Sequence, residues 1–542
     1  MIDYLQKCFE ERLAELGWPA AHLQFSRPKK SENGDWATNI AMILARKLER
    51  APMQIAQELV SGMDFDRTIV QDHKVVAPGF INFFQNPAYL ASRIQAVVAA
   101  GNAFGRNETG AGKTAQVEFV SANPTGPLTV GHGRQTVLGD TIASILEWSG
   151  YQVTREYYFN NAGRQMRLLG ESLRARYLEL KGETAVLPEG GYQGAYLVEI
   201  ARQLQAEDPN LDSETPLERF KDFAEQSIFK IIRDSLERIG VAHDVFYNEQ
   251  TLYDDGKIKE VLEELRGRDL IYQADGATWF KTSSLGADQD RVLVKSTGEP
   301  TYRLPDIAYH REKVRRGFDL VVDIFGADHI DAYPDVLSAL KAMDIPVDMI
   351  HVVIHQFVTL LRGGEVVKMS TRKADFVTLD ELVDEVGVDV VRYFYIMRSA
   401  SSHLNFDLDL AKRQTEENPV FYLQYAHARI ASIFRRAKEA GFSGFEDPDL
   451  SALTEPETLA LINEVLGFPA VVERCRDTLE VHHLPNYLYD LATALHKFYT
   501  EHKVVDPENP STSIARLTLL RAVQITLRNG LTILGINAPD RM

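Results

Sequence analysis

The 542-residue sequence holds only two cysteines, Cys8 and Cys475, far apart in the chain. They can build neither a disulfide framework nor a cysteine-based structural zinc site, and a reducing compartment fits. Uninterrupted apolar runs of membrane-spanning length are missing. Positive charge is in short supply: 59 Lys and Arg face 77 Asp and Glu, a formal charge of −18. Bulk attraction therefore cannot hold nucleic acid, and such a partner would need a local basic groove. No signal or transit peptide is visible. MIDYLQKCFEERLAELG instead spaces Ile2, Leu5, Phe9, Leu13 and Leu16 on one helical face with acidic residues between them. These absences predict a soluble, cytoplasmic protein with no membrane partner.

What is present points to several domains, because the chain exceeds the size at which one core stops growing. Residues 1–110 read as an α+β unit: a first helix, a helix from Ala37 capped by Asp35 or Thr38, and an aromatic strand in GFINFFQ, with GNAFGRNETGAGK as linker. Residues 111–410 read as an α/β domain with a parallel sheet. AQVEFV, a helix from Gly131 to Trp148 and VTREYYF give strand, helix and strand. DLVVDIFGADH, a helix over 331–344 and DMIHVVIHQ resume the pattern. Between them a charged, mostly helical insertion is expected over about 160–295, with helix-capping residues within Ser213–Glu218. Residues 411–542 read as an all-α bundle.

Two segments carry candidate chemistry. In SANPTGPLTVGHGR the Gly/Pro turn follows a strand and precedes a helix, the place where an open parallel sheet binds phosphates. Gly131 and Gly133 would let a nucleotide approach the backbone, and His132 would donate a charge-assisted hydrogen bond. VVKMSTRKAD, residues 366–375, places Lys368, Arg372 and Lys373 after the second β region, suited to neutralising departing pyrophosphate. Taken singly, each segment also reads as an ordinary surface loop.

Together and in this order they resemble the HIGH and KMSKS signatures of class I aminoacyl-tRNA synthetases, most closely arginyl-tRNA synthetase. NPTGPLTVGHGRQTVLGD, YYFNNAGRQM, KMSTR with VTLDELVDEVGVDVVRYFYIMRS, and ENPVFYLQYAHARI carry the likeness. It extends from GDWATNIAM and APGFINF to the terminal APDRM. The resemblance implies an α/β, Rossmann-type catalytic domain, an α+β N-terminal domain that meets the tRNA D-loop, and an all-α C-terminal anticodon-binding bundle. It implies ligation of L-arginine to tRNA(Arg) through an arginyl-adenylate, with ATP and Mg²⁺ entering as one substrate complex, no dedicated metal site and no structural zinc. Activation that requires bound tRNA and a monomeric state are further expectations.

Residue by residue, the likeness assigns His132, Lys368 and Ser370 to catalysis, and Thr129, Gly131, His132, Lys368, Met369 and Ser370 to ATP. Asn123, Glu249, Tyr302, Asp306 and His329 match the amino-acid pocket. The two acids among them suit a guanidinium, which is a planar cation with five donors. Asn82, Phe83, Tyr425, Tyr499 and Met542 match tRNA-contacting positions, with Phe80 expected in the core. One departure stands out: the family's H-x-G-H begins here with Thr129. A lost cationic donor costs about 2–4 kcal/mol when nothing compensates. A non-charging paralogue that binds tRNA or arginine is the alternative this raises.

Overall fold

The protein is described by a computed structural model that covers residues 1–542 except 29, 328–329, 368–376 and 443–447. Helices α1 (Ile2–Glu15), α2 (Ile40–Leu48) and α3 (Pro52–Ser61) pack on an antiparallel sheet of β1 (Phe25–Ser26), β2 (Trp36–Thr38), β3 (Val70–Val76) and β4 (Phe80–Gln85), in the order β1-β2-β4-β3. The predicted helical stripe on α1 is used: Leu5, Phe9 and Leu13 are buried against Ile40, Leu44, Ile55 and Leu59. Phe83 is the centre of this small core, edge-on to Phe9 at 5.9 Å and Phe65 at 5.6 Å. The expected helix from Ala37 begins only at Ile40, because residues 36–38 pair with β4. Asp35 does not cap it; its carboxylate accepts from the Gln85 amide at 2.8 Å.

Helix α4 (Pro87–Ala100) lies within the expected N-terminal unit, yet its buried Leu90, Ile94 and Val97 belong to the large core shared with the C-terminal helices. That bundle comprises Pro419–Glu439, Pro456–Thr478, His483–Glu501 and Pro510–Ile533.

Between them lies a five-stranded parallel sheet of β5 (Thr114–Glu118), β6 (Gln152–Phe159), β7 (Val245–Asn248), and, after a three-stranded antiparallel sheet β8 (Ile271–Ala274), β9 (Ala277–Phe280) and β10 (Arg291–Val294), β11 (Leu320–Gly326) and β12 (Ile350–His355). Its order is β12-β11-β5-β6-β7. The chain leaves β5 toward β6 and β7 on one side and fills β11 and β12 on the other, so the crevice beside β5 at the strands' carboxyl ends is a topological switch point. Helix α5 (Val130–Trp148) starts there.

Residues 160–295 are not one insertion. Helices α6 (Gly163–Leu180), α7 (Ala195–Glu207) and α8 (Leu217–Arg238) leave the sheet, β7 returns to it, and α9 (Gln250–Asp254), α10 (Lys257–Gly267) and β8–β10 leave again before α11 (Arg303–Arg315). Helix α8 follows Pro216 without a side-chain cap; Asp212 instead accepts from the amides of Glu214 and Thr215. Helix α12 (Tyr333–Ala342) joins β11 to β12. A second small sheet, β13 (Val358–Arg362), β14 (Glu365–Val366) and β15 (Leu404–Asp407), follows with α13 (Leu379–Val386) and α14 (Val388–Ile396). Among the described residues no helix is long and apolar enough to cross a membrane.

Candidate active site

The loop after β5 turns at a conformational cost: Val120 and Ser121 hold φ of 71° and 44°, the left-handed region, where a β-branched residue is rare. Neighbouring hydroxyls hold it there. Tyr157 Oη donates to the Ala122 carbonyl and Tyr196 Oη to that of Thr125, both at 2.8 Å. The turn delivers Asn123 to the crevice and Thr129 to the start of α5.

Thr129 is the N-cap of α5. Its backbone N–H donates to His132 Nδ1 at 3.1 Å, and its hydroxyl lies 3.2 Å from the same nitrogen. Burial lowers the His132 pKa. The ring is therefore neutral, with Nδ1 accepting and the proton on Nε2, so the donor it offers is Nε2–H and not the charge-assisted one expected from sequence. A Cβ on Gly131 would meet only Thr129 Oγ1, at 3.6 Å, leaving the helix N-terminus open to a ligand. Gly133 does not share that role: its Cβ would stand 2.8 Å from Leu379 Cδ1 and Tyr395 Oη, so it permits packing. Arg134 is fully buried and donates to the carbonyls of Gln356, Ser399 and Ser402.

Lys368, Met369, Ser370 and His329 lie outside the described residues. The chain just after the first three is placed: Val377 O accepts from Val130 N, Leu379 N donates to Leu128 O at 2.8 Å, and Thr378 forms a bridge with Thr129. The C-terminal flank of the second signature thus runs beside the first turn of α5.

On the other side of β5, Glu249 follows β7 and is buried. Its carboxylate accepts from Tyr158 Oη and from Asn160 Nδ2, each at 2.8 Å. Burial raises its pKa, against the donors Tyr158, Asn160 and Tyr253. Asp306 sits in the first turn of α11. Burial, then Glu249 and Asp306, raise the Tyr158 hydroxyl well above its ordinary value; burial and the same two acids push Tyr253 up to about 12. Both candidate guanidinium acids are thus near enough to act electrostatically on one pair of tyrosines. Asn123 is in the same network: its Oδ1 accepts from the Asn160 amide at 3.0 Å and its Nδ2 donates to Gln165 at 3.2 Å. Tyr302, at the N-terminus of α11, is 78% exposed and stands outside it.

Helix α11 is fixed by charge. Glu156, Glu118 and Asp323 lie side by side on β6, β5 and β11, all buried. Lys313 bridges Glu118 and Asp323, Arg316 donates to both oxygens of Glu156 at 2.6 and 2.9 Å, and His310 Nε2 reaches Asp323 at 3.1 Å. Three acids on adjacent strands, countered from one helix, set the height at which Asp306 meets the crevice.

The tRNA candidates divide. β4 turns Ile81 and Phe83 into the core and Phe80 outward, reversing the expectation for Phe80 and removing Phe83 from any exposed face. Asn82 lies on the outer face, in register with Lys74 and only 5% exposed. In the bundle, Tyr425 stacks on His496 at 6.3 Å, and Arg429 lies over Tyr499 at 4.2 Å while donating to Tyr425 Oη at 2.7 Å. The C-terminal tail follows the same helix, held by Gln424 to Asn537 O and Arg435 to Asp540 O, and leaves Met542 exposed. Sequence reasoning missed Tyr158, Asn160 and Tyr253; the first two sit in the quoted YYFNNAG run, where strand aromatics masked a polar cluster.

Residues 3–85 match the arginyl tRNA synthetase N terminal domain model, 93–393 the catalytic domain model of tRNA synthetases class I (R), and 423–542 the DALR anticodon binding domain model. The arginine–tRNA ligase of Desulfotalea psychrophila is 49% identical over 100% of this chain and 99% of its own. That of Salinibacter ruber is 48% identical with both chains fully covered. The arginyl-tRNA synthetase structure from Thermus thermophilus, 23% identical, superposes with a TM-score of 0.77 over 99% of each chain and shares the fold. With the paired motif flanks, the acidic crevice and full-length relatives in agreement, the chain belongs to the arginyl-tRNA synthetase family.

Proposed function

We propose that the crevice beside β5 is where arginine and ATP react, with the guanidinium between Glu249 and Asp306, the α-amino end toward Asn123, and the phosphates at the α5 N-terminus under His132. The chain's reaction is ATP-dependent ligation of L-arginine to tRNA(Arg) through an arginyl-adenylate, releasing AMP and pyrophosphate. The observation that supports the site assignment is the polar network at the carboxyl ends of the strands, in which Glu249 accepts from Tyr158 and Asn160 and the Asn160 N–H donates to Asn123, with Asp306 in the first turn of the adjoining α11. A cationic side chain would replace the water that these acids otherwise keep.

In this reading the arginine carboxylate attacks the α-phosphorus, and pyrophosphate leaves past the helix N-terminus, where main-chain N–H groups and His132 Nε2–H receive growing negative charge. Mg²⁺ arrives on the ATP phosphates as part of the substrate. The family likeness assigns Lys368, Met369 and Ser370 to the same phosphates and His329 to the amino acid. Phe80, with Asn82 beside it on the same face of β4, meets the tRNA from the outer sheet face, and Tyr425, Tyr499 and Met542 meet it from the bundle. The protein works as a cytoplasmic monomer.

The non-charging alternative has no support: full-length relatives near 49% identity are arginine–tRNA ligases, and the main-chain N–H that holds His132 Nδ1 does not depend on the side chain at 129. The test is arginine-dependent ATP–pyrophosphate exchange with and without tRNA, comparing wild type with Asp306→Ala. A rise in the arginine KM far beyond that for ATP supports the pocket; equal losses for both refute it.

A further inference from the structure

We infer that Asn160 is a positioning residue for arginine selection: it holds Glu249 as a fixed, ionised acceptor at the crevice and ties that acceptor to Asn123. The inference rests on the arginine-site reading above. Three polar groups of Asn160 bond within this one site. Its Nδ2 donates to Glu249 Oε1 at 2.8 Å, its main-chain N–H donates to Asn123 Oδ1 at 3.0 Å, and its Oδ1 accepts from the Ala162 amide at 2.8 Å. The last bond is an Asx turn that locks the side chain locally. The substrate's cationic and α-amino ends are thus referred to one residue.

The need for such a residue follows from the surroundings of Glu249. Tyr158 from β6 donates to it, Tyr253 from α9 adds to the groups that favour its charged form, and Asp306 on α11 and Glu118 on β5 add negative charge around Tyr158. Burial favours the protonated acid, and among the described residues the hydrogen-bond donors to Glu249, Tyr158 and Asn160, are neutral. Neutral donors are then what keeps it ionised before arginine arrives. Of the donors among the described residues, only Asn160 also bonds to Asn123. A guanidinium is selected over a neutral isostere when the acceptor is already charged and oriented.

Asn160→Asp isolates one bond. The Oδ1 contact to Ala162 and the main-chain contact to Asn123 survive, while the donor facing Glu249 becomes a second carboxylate, and two acids sharing a site cannot both ionise readily. The arginine KM in tRNA arginylation should rise about tenfold or more near neutral pH, with its acid limb moved to higher pH by about one unit. The ATP KM and kcat at saturating arginine should change little. Asn160→Ser, which keeps an acceptor for Ala162 but whose shorter side chain does not reach Glu249, should raise the arginine KM several-fold and covers the case of a poorly folding Asp variant. A lowered kcat with wild-type arginine KM and pH limb in either variant overturns the inference. Glu249→Gln separates the two readings. If it leaves the arginine KM unchanged, the arginine-site assignment itself fails. If it abolishes arginine use while Asn160→Asp behaves as wild type, only the role of Asn160 fails.

Discussion

Replacing Thr129 by alanine asks whether the missing first histidine matters for chemistry or for posture. In the structure, the main-chain N–H of residue 129 holds His132 Nδ1 at 3.1 Å, and an alanine retains that N–H. What disappears is the hydroxyl 3.2 Å from Nδ1 and the preference of threonine for the N-cap. The hydroxyl contact contributes about 1 kcal/mol, so kcat for arginylation should fall by about fivefold, with arginine and ATP KM values near wild type, while the N-cap preference, also about 1 kcal/mol, is lost from stability. His132→Ala removes the Nε2–H donor itself and should lower kcat by about 10²–10³-fold, the cost of deleting one donor to a transition-state charge. Steady-state arginylation of saturating tRNA(Arg) and pyrophosphate exchange in its presence would give both numbers. If Thr129→Ala proves as damaging as His132→Ala, Thr129 touches the phosphates directly and the posture argument is refuted. Thr129→His offers the converse check: its ring competes for the space beside Nδ1, so a gain in kcat would also refute it.

The raised pKa of Glu249 gives a pH signature: arginine binding needs the carboxylate, so the arginine KM should climb on the acid side from a pH above the ~4.3 of an ordinary glutamate. An arginine KM flat through mild acid would contradict this. Lys313→Met removes the ammonium shared by the buried Glu118 and Asp323, leaving Asp323 with His310 alone among the described residues, and should cost about 3–5 kcal/mol in urea unfolding; a loss under 1 kcal/mol would mean the acids find other partners. Phe83→Ala should destabilise the N-terminal unit by about 3–5 kcal/mol, whereas Phe80→Ala should spare stability and raise the tRNA KM. The opposite pattern would restore the inward reading of Phe80.

Local periodicity made β5, α5, β6, β11 and β12 legible, since each carries its signal within its own residues. β7 was not, because VFYN is four residues long and becomes a strand only beside Glu156–Phe159, about ninety residues earlier. FINFF shows the limit of alternation: Phe80, Asn82 and Phe84 share one face and Ile81, Phe83 and Gln85 the other, so both faces are apolar and period two cannot choose. Docking of α1–α3 chooses. The acids Glu249 and Asp306 became readable only through family likeness; their convergence depends on α11 being held across three strands by residues that composition cannot rank.

The core around α4 and α5 is also the core of the bundle. Arg392 on α14, 1% exposed, donates to Asp140 on α5, to the Ile239 carbonyl at 2.9 Å and to the Leu534 carbonyl at 2.7 Å. Catalytic helix, inserted segment and final helix meet on a single guanidinium. The sequence boundaries at 110 and 410 are therefore lines in recognition, not seams in the solid. A catalytic half expressed alone would expose the flank of α5 and strand Arg392 without its C-terminal acceptor, so grafting a foreign anticodon reader onto this body requires carrying the Leu534 end of the last helix with it.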